Sequence, residues 1–82
     1  NLLEIYPLQP DLFFLAGMSN NRIGRFKKAK DFLESGLELI VDDLDLTINF
    51  YVELVQACNG LGDTKCRDNY LYQSKKSIRQ KK

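Results

Sequence analysis

The chain has 82 residues, 44% of them apolar, which allows one small domain with a core that is only marginally self-sufficient, and this apolar content argues against disorder. Its formal net charge is +1, but residues 1–68 hold all eleven acids against seven bases, while residues 69–82 carry five bases and no acid. Histidine is absent, which removes the commonest general base and metal ligand, and no apolar run reaches the ~20 residues that cross a bilayer.

Residues 1–6 read as the last turns of a helix stopped by Pro7, because proline disfavours the α conformation in the residue before it. The chain opens without an initiator methionine or the regions of a signal peptide, as expected of a piece of a longer protein. Pro10 suits the first position of the next helix, where its missing amide hydrogen has no intrahelical partner, and Asp11 complements the positive end. That helix is expected over 10–22, with Leu12, Phe13, Leu15, Ala16, Gly17 and Met18 placing apolar or small residues on more than one face. Gly24 ends it. A second helix over 25–41 places Phe26, Ala29, Phe32, Leu33, Gly36, Leu37 and Ile40 at three- and four-residue spacings, opposite a charged face. Asp42 and Asp43 supply a turn and a cap for a third helix over 44–59. Gly60-Leu61-Gly62 closes that segment, and a fourth helix follows over 63–78, with 79–82 expected to fray. No strand alternation or hairpin signal interrupts this pattern, so the fold class is all-α.

The pattern repeats after 38 residues. Gly24 is followed by Phe26, Ala29, Leu33 and Gly36, and Gly62 by Thr64, Arg67, Leu71 and Ser74. Phe13, Ala16 and Gly17 precede the first glycine as Tyr51, Leu54 and Val55 precede the second. A repeat of this length, built from an apolar segment, a glycine turn and a second helix, describes antiparallel helical hairpins stacked as an α-solenoid.

These residues resemble the tetratricopeptide repeat (TPR) family, whose unit is a pair of antiparallel helices of about 34 residues. Phe13, the pair Ala16-Gly17, Gly24, Ala29, Leu33 and Gly36 match its pattern of large, small and turn positions. In the second copy Tyr51, Leu54, Gly62, Leu71 and Ser74 match, while Val55 replaces the close-packing glycine and Arg67 the alanine, leaving that repeat degenerate or terminal. Leu61 to Lys65 resembles the turn between the two helices of a repeat, and the extra length is expected in a longer second helix near 38–43. The resemblance covers nearly the whole chain and is closest to long-array bacterial members. It implies the tail of a preceding repeat over 1–7, a first hairpin over 8–43, and a second hairpin with a basic tail over 44–82. About three or more repeats are expected for stability, so two and a fraction should lean on further repeats or on a second copy of the chain.

The resemblance also implies a non-enzymatic scaffold that binds a protein or peptide in a groove lined by the first helix of each hairpin. The groove residues would be Asp11, Phe14, Leu15, Met18, Asn21 and Arg22 from the first hairpin, with Asn49, Val52, Glu53, Gln56 and Asn59 from the second. Phe14 and Met18, four apart on one helical face, would make an apolar anchor or pack on a neighbouring repeat. The asparagines and Gln56 would bond a peptide backbone. No cofactor is implied. Cys58 and Cys66 flank the second turn; a bridge is open to them, but two free thiols acting as small core residues are the expectation. Asp42, Asp43 and Asp45 lack the glycine and bidentate glutamate of a calcium loop, so helix capping accounts for them better and no metal is expected. The alternative function is a basic-tailed helical module docking on an acidic partner such as nucleic acid. It would use Lys27, Lys28 and Lys30 with the basic tail, but no aromatic interleaves those lysines as a stacking platform.

Overall fold

A computed structural model describes residues 9–80. The expected helix tail over 1–7, residue 8 and the last two residues lie outside them. Four helices account for the described chain: α1 Pro10–Arg22, α2 Phe26–Leu37, α3 Leu44–Gly60 and α4 Thr64–Gln80. The described residues contain no strand. The chain is all-α.

Two hairpins form because two glycines make the same turn. Gly24 and Gly62 adopt φ of 80° and 73°, a left-handed conformation that costs glycine nothing. At the first turn the Arg25 amide donates to the Asn20 carbonyl (2.8 Å) and the Gly24 amide to that of Asn21 (3.2 Å). At the second, Asp63 donates to Cys58 (3.0 Å) and Gly62 to Asn59 (3.1 Å). Both are Schellman closures, which satisfy the last carbonyls of α1 and α3 and send the chain back along the preceding helix. The helices that leave these turns are started differently. Asp63 caps α4 through Oδ1, which accepts from the Cys66 amide at 3.1 Å, whereas Arg25 gives α2 no side-chain cap. Between the hairpins, Asp43 caps α3 by accepting from the Leu46 amide at 3.0 Å.

The second helix is shorter than its periodicity suggests. It ends at Leu37, not near Val41, because the Leu39 and Ile40 amides fold back onto the carbonyls of Gly36 and Leu37 (3.0 and 3.3 Å). Asp42 then takes a positive φ of 53° to reverse the chain. Residues 38–43 therefore form the connection between the hairpins and do not lengthen a helix.

Each helix packs on its neighbours in sequence, and α3 also packs on α1, so α3 rests against both helices of the first hairpin. The core lies at that junction, where Leu33, Phe50 and Leu54 are wholly buried and Phe13, Phe14, Leu37, Ile40, Leu46, Tyr51 and Tyr70 close around them. Small residues allow the approach. A Cβ on Gly36 would stand 2.5 Å from Cβ of Phe13 and 2.7 Å from Cε2 of Phe50, and a Cβ on Gly60 would enter the ring of Phe26.

The cysteines correct one expectation: Cys58 and Cys66 are bridged, not free. The turn at Gly60-Leu61-Gly62 folds the end of α3 onto the start of α4 and brings their Cα atoms to 5.7 Å, within disulfide range.

Candidate interaction surface

Three cross-hairpin contacts decide which polar and aromatic side chains remain available. Phe14 of α1 packs against Phe50 of α3 with ring centroids 5.3 Å apart, so it serves the contact between hairpins. Asn21 is 6% exposed, and its Nδ2 donates to both the backbone carbonyl and Oε1 of Glu53 at 3.0 Å. Both acceptors take the amide nitrogen, which leaves Oδ1 of Asn21 buried without a partner. The third contact joins α4 to α2, where the Tyr70 hydroxyl donates to Oε2 of Glu34 at 2.6 Å. Burial, then this hydrogen bond and the charge of Glu34, hold the Tyr70 hydroxyl protonated well above the ordinary tyrosine range.

These contacts divide the eleven groove residues expected from the sequence. Asn21 is buried against Glu53 and is not displayed to solvent, while Phe14 and Glu53 are half-buried in the same contact. Leu15 is exposed and sits at the repeat position of Glu53; Asn59 and Val52, also exposed, sit at those of Asn21 and Phe14. These three mark the outer sides of the hairpins. The remaining five are exposed Asp11 and Arg22 and half-buried Met18 on α1, with exposed Asn49 and Gln56 on α3. Asp11 and Asn49 occupy one repeat position, and Met18 and Gln56 another, on two helices that lie against each other.

Nothing in the residue pattern points to the Asn21–Glu53 and Tyr70–Glu34 bonds, which join residues 32 and 36 apart. The one available signal was that Asn21 and Asn59 share a repeat position, as expected where a position has a structural task. Among the described residues no group of three or more His, Cys, Asp or Glu side chains gathers as a metal site, and no helix is long and apolar enough to cross a membrane. Of the lysines near the start of α2, Lys27 pairs with Asp31 at 3.0 Å, one helical turn on. On α4, Lys75, Lys76 and Arg79 are exposed.

On the outer side of the first hairpin an open cleft of about 470 Å³ runs between α1 and α2, lined by Phe13, Asn20, Lys28, Asp31, Phe32 and Ser35. In the second hairpin, Cys58 and Cys66 hold the repeat positions of Asn20 and Lys28, and Tyr51 and Tyr70, with ring centroids 5.9 Å apart, hold those of Phe13 and Phe32. The chain matches no family model, no curated protein and no solved structure.

Proposed function

We propose that the chain is a segment of a tetratricopeptide-type α-solenoid, without catalytic function, that holds other proteins on the face shared by α1 and α3. One observation carries this reading: α3 rests against both helices of the preceding hairpin while the same Schellman turn closes each hairpin 38 residues apart. That is the contact pattern of stacked hairpins, in which the first helices of successive units line one surface. A binding role fits better than a reaction because the polar groups that do converge, Asn21 with Glu53 and Tyr70 with Glu34, are engaged in tying helices together.

The ligand would be a peptide in extended or helical form. Met18 supplies a flexible apolar contact, while the Asn49 and Gln56 amides pair with backbone groups and Asp11 and Arg22 sit toward the ends of α1. Selection from a random linear peptide library tests the reading. Peptides recovered on the wild-type chain should lose about tenfold or more in affinity when Met18 and Gln56 are both changed to glutamate, a loss of about 1.4 kcal/mol or more. Ligands that bind the double variant equally well would place the site elsewhere and remove the proposal.

A further inference from the structure

The described residues display both halves of the hairpin–hairpin contact a second time, one on the outer side of each hairpin. Phe14, Asn21 and Glu34 of the first hairpin meet Phe50, Glu53 and Tyr70 of the second. Moving the first set forward by one repeat gives Val52, Asn59 and Tyr72; moving the second set back gives Leu12, Leu15 and Phe32. All six are exposed, the five large apolar ones between 39 and 61%. A solenoid that ends in solution carries a polar outer face on its terminal unit. Among the described residues, neither hairpin has one on its outer side.

We infer that copies of this chain associate head to tail, the second hairpin of one seating on the first hairpin of the next in the register of the internal contact. This extends the stacked-hairpin reading of the preceding section and shares only Arg22 with the peptide groove. The register sets three pairs, and each is chemically sound. Val52 against Leu12 replaces the aromatic pair with an aliphatic one. Tyr72 reaches Phe32 at the cleft between α1 and α2, so an aromatic pair stands where Tyr70 meets Glu34 internally. Asn59 meets Leu15; the internal bond from Asn21 goes partly to the Glu53 backbone carbonyl, and leucine offers the same acceptor.

Volumes also trade in opposite directions. Internally the Phe26 ring covers Gly60; at the new contact the smaller Thr64 takes the place of Phe26, and Arg22 that of Gly60. No carboxylate stands at the three pairs, unlike Glu34 and Glu53 internally. The two faces differ from each other, so the contact is heterologous and does not close at two copies.

Sedimentation equilibrium of the full 82-residue chain at low and high salt tests this, together with two variants, Leu12→Asp on one face and Tyr72→Asp on the other. The wild-type mass should climb past a dimer with concentration and persist in high salt, because the contact is apolar. Each variant alone should be a monomer with wild-type helicity. An equimolar mixture of the two should form a dimer and stop there, since each partner keeps one intact face. If either variant loses helicity, Leu15→Asp or Val52→Asp replaces it on the same face. A wild-type chain that stays monomeric at its highest soluble concentration, a single variant that still associates, or a mixture that stays monomeric overturns the inference. Peptide binding that still depends on Met18 and Gln56 would leave the groove proposal standing in that event.

Discussion

Gly17→Ala isolates the close approach of α1 to α2. A Cβ built on Gly17 stands 2.5 Å from Cδ2 and 3.1 Å from Cδ1 of Leu33, and closer still to Cγ. Leu33 is wholly buried and packed with Phe50 and Leu54, so it has no free volume into which to withdraw. Two effects oppose each other. In a helix interior alanine is favoured over glycine by about 1 kcal/mol. Overpacking of a fixed core costs about 1–3 kcal/mol, so the net change is a loss of up to about 2 kcal/mol. The diagnostic result lies in the double-mutant cycle. Leu33→Ala alone should cost about 2–5 kcal/mol by leaving a cavity, but in that background the alanine at position 17 meets space. There Gly17→Ala should stabilise the chain by about 1 kcal/mol, a reversal of sign and a coupling of about 1–3 kcal/mol. Urea unfolding followed by far-ultraviolet circular dichroism measures all four corners, provided the slope against denaturant stays constant. A Gly17→Ala variant that is stabilised equally in both backgrounds would show that α1 and α2 do not touch there.

Three further perturbations test separate parts of the fold. At Gly24 and Gly62 a Cβ meets nothing within 4 Å, so alanine at either should cost only the left-handed backbone penalty, about 1–2 kcal/mol. Unequal losses at the two positions in urea titrations would show that the turns are not equivalent. Reducing the Cys58–Cys66 bridge, which spans eight residues, should lower stability by about 2–3 kcal/mol through the freed entropy of the unfolded chain. A melting midpoint indifferent to reductant would contradict this. Tyr70→Phe should cost about 1 kcal/mol at neutral pH, since the bond to Glu34 is only half-buried. Because the folded state holds the Tyr70 proton more tightly, the unfolded chain releases it first, near pH 10.0. The protonated folded state is therefore fully favoured below pH 10.0 and loses that advantage above it. The gap between wild type and Tyr70→Phe should narrow above pH 10.0; a gap that widens would reverse the assigned shift.

The parts of the fold legible in the sequence are those set by backbone chemistry within a few residues. Gly24, Gly62, Pro10 and Asp43 mark turns and caps because each answers a local requirement for positive φ, a missing donor or an unsatisfied amide. The end of α2 was misleading for a physical reason. Ile40 continues the apolar periodicity and does pack against the core, but it arrives there through a tightened turn. Periodicity reports burial, and more than one backbone path buries the same residue. The candidate surface was legible only in part. Counting around α1 finds Phe14, Asn21 and Met18 on related faces, but the sequence does not say that Phe50 and Glu53 of α3 will engage the first two. That depends on how the second hairpin sits on the first, which Phe50, Glu53 and Tyr70 settle from residues 32 to 36 positions away.

The two hairpins are held together by different means. In the first hairpin Gly17 admits Leu33, which is 0% exposed, and Ala29 is equally buried, so packing alone holds α1 to α2. Their counterparts in the second hairpin are Val55, Leu71 and Arg67, none of which is buried, and Leu71 is 39% exposed. Small residues are nonetheless buried in this hairpin, namely Ala57, Cys58, Ser74 and Ser77. The Cys58–Cys66 bond adds a covalent tie between α3 and α4 at the base of the turn. Reduction should consequently act unevenly, speeding amide exchange in α4 more than in α1 and α2, whose shared core does not depend on the bridge. Equal acceleration in all four helices would mean that the contribution of the bond is not confined to the second hairpin.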